Sequence, residues 1–419
     1  MARSGRPVGS NPLAALKHAD FRLYWSGQSI SLIGTAMQRA GQAWLVLTMK
    51  DSPFLLGLVG AVQFIPVLLL SLFAGVVADR VSKRKMTVVT QLLLCLQALC
   101  LAALVHYGRV HYWHVLALAA LQGTCMAFDT PIRQSFIHDL VGKRDLMNAI
   151  ALNSAMDNGA RIVGPAIGGL IMDAFGPAMA FLLNGVSYLF VVAALLLMKV
   201  TESAKSVGRH NFGRDISEGI SFARKTPNIR STLLLVGLVG IFALNLNVLV
   251  PVFAKDVFGL GATGYGVMMS FVGIGALCGA LTLASFSHHG PHRRLLYGGA
   301  IALGLFEILQ FLPGNYAVAC AILFLSGWAQ ITYGATANSS LQVSTPDHLR
   351  GRVMSLYAFL DQGSVPAGYL FAGTTVGLLG ARGGFLACGV TTLLAVGGLL
   401  WLGRGQQNTL RNQEIRKEA

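Results

Sequence analysis

Charged side chains are scarce in this sequence. Asp, Glu, Lys and Arg together make up only 12% of its 419 residues, whereas globular proteins carry roughly 25%. Hydrophobic residues make up 54% of the chain, which leaves too little polar surface for an ordinary soluble domain. These proportions exclude a soluble globular fold and predict a membrane protein.

Two chemical signatures are also absent. No segment fits the phosphate-loop pattern G-x-x-x-x-G-K-[ST], which argues against ATP as a direct energy source. The six cysteines lie in apolar segments without CxxC spacing, so we interpret them as buried, inert thiols rather than disulfides or metal ligands. We therefore expect no metal and no cofactor.

Long apolar runs are abundant instead, and several exceed the roughly 20 residues that a helix needs to cross a bilayer. Runs of this length and continuity favour helices over barrel strands. We predict twelve spans, at residues 23–48, 54–78, 86–107, 112–137, 147–172, 177–198, 231–254, 263–286, 295–312, 316–340, 353–379 and 382–402.

Positive charge is distributed unevenly around these spans. Of the 32 Lys and Arg residues, 25 fall in the amino terminus, the even-numbered loops and the carboxyl tail. This asymmetry predicts that both termini and the even-numbered loops are cytoplasmic. The net charge of +15 is thus a topology signal, and we expect no nucleic-acid partner.

The two halves of the chain repeat each other at an offset of 204 residues. The offset pairs Asp157 with Asp361 and Gly164 with Gly368. Parallel repeats of six spans are a transporter architecture, with the substrate between the halves near the bilayer midplane. We predict an N-terminal cytoplasmic segment (1–22), a first bundle (23–198), a cytoplasmic linker with an amphipathic helix (199–230), a second bundle (231–403) and a cytoplasmic tail (404–419).

The fifth span carries a run built for close packing and bending. Gly164, Gly168 and Gly169 remove side chains where a neighbouring helix comes close. Pro165 cannot donate to the carbonyl of Arg161, so the helix can bend there. Asp157 lies four residues before Arg161 on the same helix face, where the two can pair.

Three motifs resemble those of the major facilitator superfamily. Residues 75–85, GVVADRVSKRK, are similar to its cytoplasmic signature, with Ser82 where glycine is usual. Residues 164–169, GPAIGG, resemble the signature of its antiporters. Residues 345–355, TPDHLRGRVMS, resemble the branch that includes enterobactin exporters and macrolide efflux proteins. The resemblance implies an all-α membrane protein with twelve transmembrane helices in two pseudo-symmetric six-helix bundles.

The same resemblance implies a cytoplasmic gate. Asp79 would accept hydrogen bonds from the start of span 11, where the helix dipole favours an anion, and Asp129 would pair with Arg84. The alternative is that the basic residues of this loop only anchor the topology. The predicted gate residues are Gly75, Asp79, Arg80, Arg84, Asp129 and Arg133.

Acidic residues inside the spans are the candidates for proton coupling, because an intramembrane charge costs roughly 2.5–3.5 kcal/mol or more unless paired or hydrated. Asp361 has no basic residue within a turn, since Val365 occupies the position equivalent to Arg161. It either exchanges protons or stays protonated and bonded to a neighbour. Asp157 and Asp129 are further candidates.

Polar residues in the spans are candidates for the substrate cavity. Arg39 either holds an anionic group of the substrate or forms an ion pair with Asp157 or Asp361. Buried amides, however, also join helices to one another. The candidates are Arg39, Gln42, Gln63, Arg161, Asn245, Asn247, Tyr333, Asn338 and Gln342.

These features predict a non-enzymatic secondary exporter of a small amphiphilic molecule, such as a drug or a siderophore, driven by proton antiport. We expect a monomer in a bacterial-type inner membrane. The alternatives are a non-transporting sensor or assembly factor on the same scaffold, or a lipid or metal exporter. No signal in the chain identifies the substrate.

Overall fold

The computed structural model describes residues 13–198, 212–285 and 292–418. Within these ranges the side chains at 72, 75, 76, 78–80, 143, 212–216 and 403–418 are not described. The described chain is helical, apart from short connections. The helices are α1 (Ala19–Lys50), α2 (Pro53–Arg80), α3 (Lys83–His106), α4 (Tyr112–Phe175), α5 (Pro177–Leu197), α6 (Phe212–Lys225), α7 (Pro227–Phe242), α8 (Leu246–Asp256), α9 (Ala262–Ser285), α10 (Arg293–Leu309), α11 (Tyr316–Ser344) and α12 (Asp347–Glu418).

The long helices α4 and α12 each contain two of the predicted spans. They turn at Gly142 and Gly380, whose φ angles are 66° and 72°. Side chains rarely adopt this left-handed region, so glycine permits the turn between consecutive spans. Among the described residues, eight helices are long and apolar enough to cross a membrane.

The hydropathy pattern predicted a continuous seventh span, but the structure divides it into two helices. Helix α7 ends at Phe242 and α8 begins at Leu246. The Asn245 side-chain amide donates to the carbonyl of Ile241 at 2.7 Å. A break in a membrane helix leaves carbonyls without partners, and Asn245 satisfies one of them.

Glycines allow the two halves of the molecule, α1–α5 and α7–α12, to approach closely at two crossings. A Cβ atom on Gly169 of α4 would lie 2.5 Å from the Ala262 carbonyl oxygen of α9, and one on Gly57 of α2 would lie 2.2 Å from the Tyr369 carbonyl oxygen of α12. Side chains at these positions would force the helices apart. The crossings bring α1, α2, α8, α9 and α12 around one central space.

An apolar core seals this space at one end. It joins the end of α1, including Leu45 and Leu47, to buried residues of α8 such as Val248 and Phe253. Gly164 and Gly168 bring α4 against Ala36 and Met37 of α1 in the same region. The halves are therefore packed together at the end where α1 finishes and α9 begins.

Candidate functional site

A cavity of about 40 Å³ lies between the two halves beneath the sealed end, and we call it the apex cavity. Five helices contribute to its wall. It is lined by Arg39, Gln42 and Ala43 of α1, Leu56, Val59, Gly60, Gln63 and Phe64 of α2, Asn247 and Val248 of α8, Tyr265 of α9, and Tyr369 of α12. The wall combines amides and aromatic rings with a single charged side chain, that of Arg39.

Aromatic contacts hold the wall in place. Tyr265 stacks on Trp44 with ring centroids 6.0 Å apart and an angle of 11° between the planes. Tyr369 meets Phe64 edge-on at 6.0 Å, and its hydroxyl accepts a 2.9 Å hydrogen bond from the Asn247 amide. These contacts link the first half to the second at the cavity, so a relative movement of the halves would remodel it.

Charged side chains follow the cavity along α1, α4 and α12. Arg161 interacts electrostatically with Arg39, Asp157 and Asp361. The Asp361 carboxylate accepts a 2.9 Å hydrogen bond from the adjacent Gln362 amide. Asp361 thus has a basic neighbour after all, supplied by the other half of the molecule rather than by its own helix.

None of these charges forms a close ion pair with another. Among the described residues, no pair within 4.0 Å involves Arg39, Asp157, Arg161 or Asp361. The pairing expected of Asp157 with Arg161 along one helix is therefore an interaction at longer range. Arg39, Asp157 and Arg161 are exposed. Since charge facing hydrocarbon is costly, this exposure indicates a water-accessible space between the halves.

The remaining proton-coupling candidate, Asp129, lies inside the first half. It is 8% exposed and accepts hydrogen bonds from Thr90 and Gln91 of α3, both at 3.1 Å. Arg133 interacts electrostatically with Asp129 and with Asp157. Asp129 is thus tied to the packing of α3 against α4 and is not among the lining residues of the apex cavity.

The structure divides the predicted cavity residues into two groups. Arg39, Gln42, Gln63 and Asn247 line the apex cavity. The others lie elsewhere. Asn245 and Tyr333 are buried within the second half at 0% and 3% exposure, and Asn338 and Gln342 hydrogen-bond to each other near the end of α11. Arg161 belongs to the charged group described above.

Tyr369 is a cavity residue that the sequence argument missed. It occupies position 369, which the repeat offset pairs with Pro165 of the helix-bend run. Pro165 is not among the lining residues of the apex cavity, so the repeat gave no signal that Tyr369 would line it.

The predicted gate is described only in part. The backbone of Gly75, Asp79 and Arg80 belongs to the last turns of α2, while their side chains lie outside the described residues. Arg84 donates a hydrogen bond to the Leu196 carbonyl at 3.0 Å. The role expected of Asp79 stays a prediction.

Polar contacts reinforce the sealed end, and sequence reasoning assigned them no role. Asp173, near the end of α4, accepts hydrogen bonds from the backbone amides of Ala262 at 3.0 Å and Thr263 at 2.9 Å, where α9 begins. Lys255 of the second half pairs with Asp51 of the first and donates to the Leu47 carbonyl at 3.4 Å. We call these six residues the clasp.

The pKa of Asp173 reflects the hydrogen bonds that its carboxylate accepts in the clasp. Partial burial alone would raise this pKa, but hydrogen bonds from Thr263 and Ala262 favour the carboxylate and hold the pKa below its ordinary value. A carboxylate at a helix N-terminus is also stabilised by the helix dipole. Asp173 is therefore charged at neutral pH and holds the two halves together.

Comparison with known proteins identifies the family to which this architecture belongs. The family model for transmembrane secretion effectors matches residues 10–412. The staphyloferrin A transporter of Staphylococcus aureus is 25% identical over 89% of this chain and 93% of its own. The multidrug efflux pump Tap of Mycolicibacterium fortuitum is 28% identical over 84% and 88%, and the enterobactin exporter EntS of Shigella boydii is 26% identical over 82% of each.

Solved structures share the fold at low sequence identity. A bacterial homologue of the human lysosomal transporter Spinster, in an inward-facing and unoccupied conformation, matches with a TM-score of 0.75 and 14% identity over 94% of this chain and 98% of its own. The nucleoside transporter NupG matches with a TM-score of 0.72 and 13% identity over 93% and 98%. The resemblance inferred from the motifs is thereby confirmed: this multi-pass membrane protein belongs to the transmembrane secretion effector family of the major facilitator superfamily.

Proposed function

We propose that this protein is a secondary exporter that moves a small amphiphilic molecule out of the cell in exchange for protons. It acts as a monomer in the inner membrane, with both termini cytoplasmic, and the proton gradient supplies the energy. The observation that carries the proposal is a cavity between two pseudo-symmetric halves that is sealed at one end, with exposed charged groups beneath the seal.

The arrangement fits alternating access. The clasp and the apolar core close the end of the molecule where α9 begins, which by the distribution of positive charge is the outer end. Substrate then enters from the cytoplasm, and opening of the clasp releases it outside. The relatives named for export of a drug and of a siderophore support outward transport of a small molecule.

Asp361 is the proposed proton carrier. Its side chain is half-buried and interacts electrostatically with Arg161 of the other half. Protonation of Asp361 would remove its attraction to Arg161 and change the contact between α12 and α4, which belong to opposite halves. Such a group couples a proton to the relative position of the halves.

Ligand-induced proton movement in everted membrane vesicles tests the proposal. The panel contains cationic drugs, macrolides, and catecholate and carboxylate chelators, and the variants are wild type, Asp361→Asn and Glu307→Gln. Glu307 is a matched control, since it is a fully buried carboxyl of the second half that does not line the apex cavity. We expect one ligand class to release protons with wild type and with Glu307→Gln, but not with Asp361→Asn.

Each other outcome has a defined meaning. Export without proton movement would contradict antiport. Proton release that survives Asp361→Asn would contradict the role of Asp361 and transfer it to Asp157 or Asp129. Loss of proton release in Glu307→Gln alone would assign the proton to the buried carboxyl.

A further inference from the structure

Arg39 is the one charged residue among those lining the apex cavity, and the other eleven include no carboxylate. Among the described residues it has no ion-pair partner within 4.0 Å. The ion pair with Asp157 or Asp361 that the sequence left open is therefore not formed. A guanidinium between membrane helices is stable only with water or a counter-charge, and the protein supplies no counter-charge within ion-pair distance.

Among the described residues, no surrounding carboxylate lies within 4.0 Å of the Arg39 guanidinium. Arg161 lies close enough to repel it electrostatically. Asp361 interacts with Arg161, and Asp157 with Arg161 and Arg133. Asp129 also interacts with Arg133. None of these three carboxylates lines the apex cavity, where Arg39 is the one charged side chain.

The other cavity groups suit an oxyanion. The amides of Gln42 and Gln63 face the same cavity and can donate hydrogen bonds. The Gln63 amide donates to the sulfur of Met126 at 3.9 Å, and a thioether sulfur is a weak acceptor. Arginine binds a carboxylate through two parallel hydrogen bonds, a geometry that lysine cannot reproduce.

The size of the cavity limits what enters it. Pockets for whole drug-sized ligands measure roughly 300–1,000 Å³, whereas the apex cavity measures about 40 Å³. It therefore has room for a head group and not for the body of a substrate. The rings of Phe64, Tyr265 and Tyr369 at its wall offer apolar and aromatic surface to the part of the ligand next to that head group.

We propose that Arg39 binds the carboxylate head group of the substrate in the apex cavity, and that the substrate class is therefore an amphiphilic organic carboxylate. This inference rests on the proposed export function. It adds the charge of the substrate, which neither the motifs nor the family assigns.

Three probes with one naphthalene body test the head group: 1-naphthylacetate, 1-naphthylacetamide and 1-naphthylmethylamine. Binding to the purified full-length protein is measured by equilibrium dialysis. We expect wild type to bind the carboxylate about tenfold or more tightly than the amide, as charge-assisted hydrogen bonds imply. Arg39→Gln should abolish this preference, and Arg39→Lys should retain part of it.

Two controls separate binding from folding. Arg109→Gln removes an exposed arginine of a loop and should leave the preference unchanged. Arg39→Gln should keep or raise the apparent Tm, because it removes a charge that has no protein counter-charge. Naphthylacetate should raise the Tm of wild type and not that of Arg39→Gln.

Several results would overturn the inference. These are a carboxylate that binds no more tightly than the amide, including the case in which no probe binds, and a preference that survives Arg39→Gln. A lower Tm for Arg39→Gln together with equal loss of all three probes would assign Arg39 to structure.

Transport of the same probes into everted vesicles distinguishes this failure from failure of the proposed function. Proton-coupled uptake of the amine alone would leave the exporter standing and refute the carboxylate assignment. Arg39-dependent binding of the carboxylate without movement of any probe would support the carboxylate assignment and refute the exporter.

Discussion

Asp173 illustrates how a single carboxylate can hold two halves of a transporter together. Its two hydrogen bonds from the start of α9 resemble in kind the contact expected of Asp79 at the opposite end of the molecule. Each places a carboxylate of the first half at the N-terminus of a helix of the second. The residues are unrelated by the repeat offset, so the similarity follows from the chemistry of helix ends.

The contribution of Asp173 to closure should depend on pH in a defined direction. Because its pKa is held below the ordinary value in the closed protein, closure gains from Asp173 at every pH above about 3.9, the ordinary value for aspartate. The gain is lost only as the pH falls below this and through the lowered pKa. Between pH 8 and pH 5 we therefore expect no change from this group.

Spin labels on the two halves at the clasp end can measure this by their separation. Asp173→Ala should increase the open population at neutral pH, and its difference from wild type should stay constant from pH 8 to pH 5. Asp347→Ala provides a control, since Asp347 is an exposed aspartate whose carboxylate pairs with Arg350 within α12. A difference between wild type and Asp173→Ala that changes between pH 6 and pH 5 would contradict the assignment.

Glu307 is a carboxyl group that the second half buries completely. Neither carboxylate oxygen has a hydrogen-bond partner within the described structure. Hydropathy identified the helix, but its rotation towards the interior is a result of packing.

The α4–α9 crossing joins the two halves of the molecule at the closed end. Gly169 contacts Ala262 and Thr263, and a Cβ atom there would lie 2.5 Å from a backbone oxygen. A backbone oxygen cannot move aside as a flexible side chain can. Close approach of these helices thus requires glycine at this position.

Gly169→Ala should therefore destabilise the closed protein. We expect a loss of about 1–3 kcal/mol, the usual cost of overpacking, seen as a lower apparent Tm in detergent and as reduced export. Gly159→Ala is the matched control on the same helix, because a Cβ atom there has open space around it. That variant should be neutral or gain up to about 1 kcal/mol from helix propensity. Equal effects of the two substitutions would show that helix propensity, not the crossing, matters.

At the scale of the whole molecule, the Asp51–Lys255 pair spans the two halves. Asp51 is 77% exposed, and such surface pairs contribute only about 0–1 kcal/mol. The pair therefore identifies a place where the two halves meet, but it contributes little to the stability of their contact. The apolar core and the Asp173 contact join the halves at the same end.

Covalent closure at this place should stop transport. Asp51→Cys and Lys255→Cys can be introduced together in a Cys100→Ser background, since Cys100 is an exposed native thiol. A reducible bifunctional crosslinker of about 8–10 Å would suit a gap previously bridged by a lysine side chain. We expect export to fall to background and to return after reduction, because alternating access requires this end to open. Single-cysteine variants treated in the same way should stay active, and transport by the crosslinked protein would refute the rocking mechanism.

Much of the architecture followed from the sequence. A helix must satisfy its own backbone and match the bilayer thickness, so length and hydropathy identified the spans. The repeat of Asp157 as Asp361 and the run of glycines around Pro165 indicated two related halves. Four polar residues that line the apex cavity were also recognised, because polar groups in a membrane avoid lipid.

Only the tertiary structure decided which polar residues face the cavity and which face another helix. Both environments shield an amide from lipid, so Asn245 and Asn247 look alike in sequence, yet one is buried against the backbone and the other lines the cavity. Contacts between the halves, such as Arg161 near Asp361 and Asp173 at the start of α9, join residues some 90 to 200 positions apart. Periodicity along one helix specifies which residues share a face, but the packing of several helices determines what that face meets.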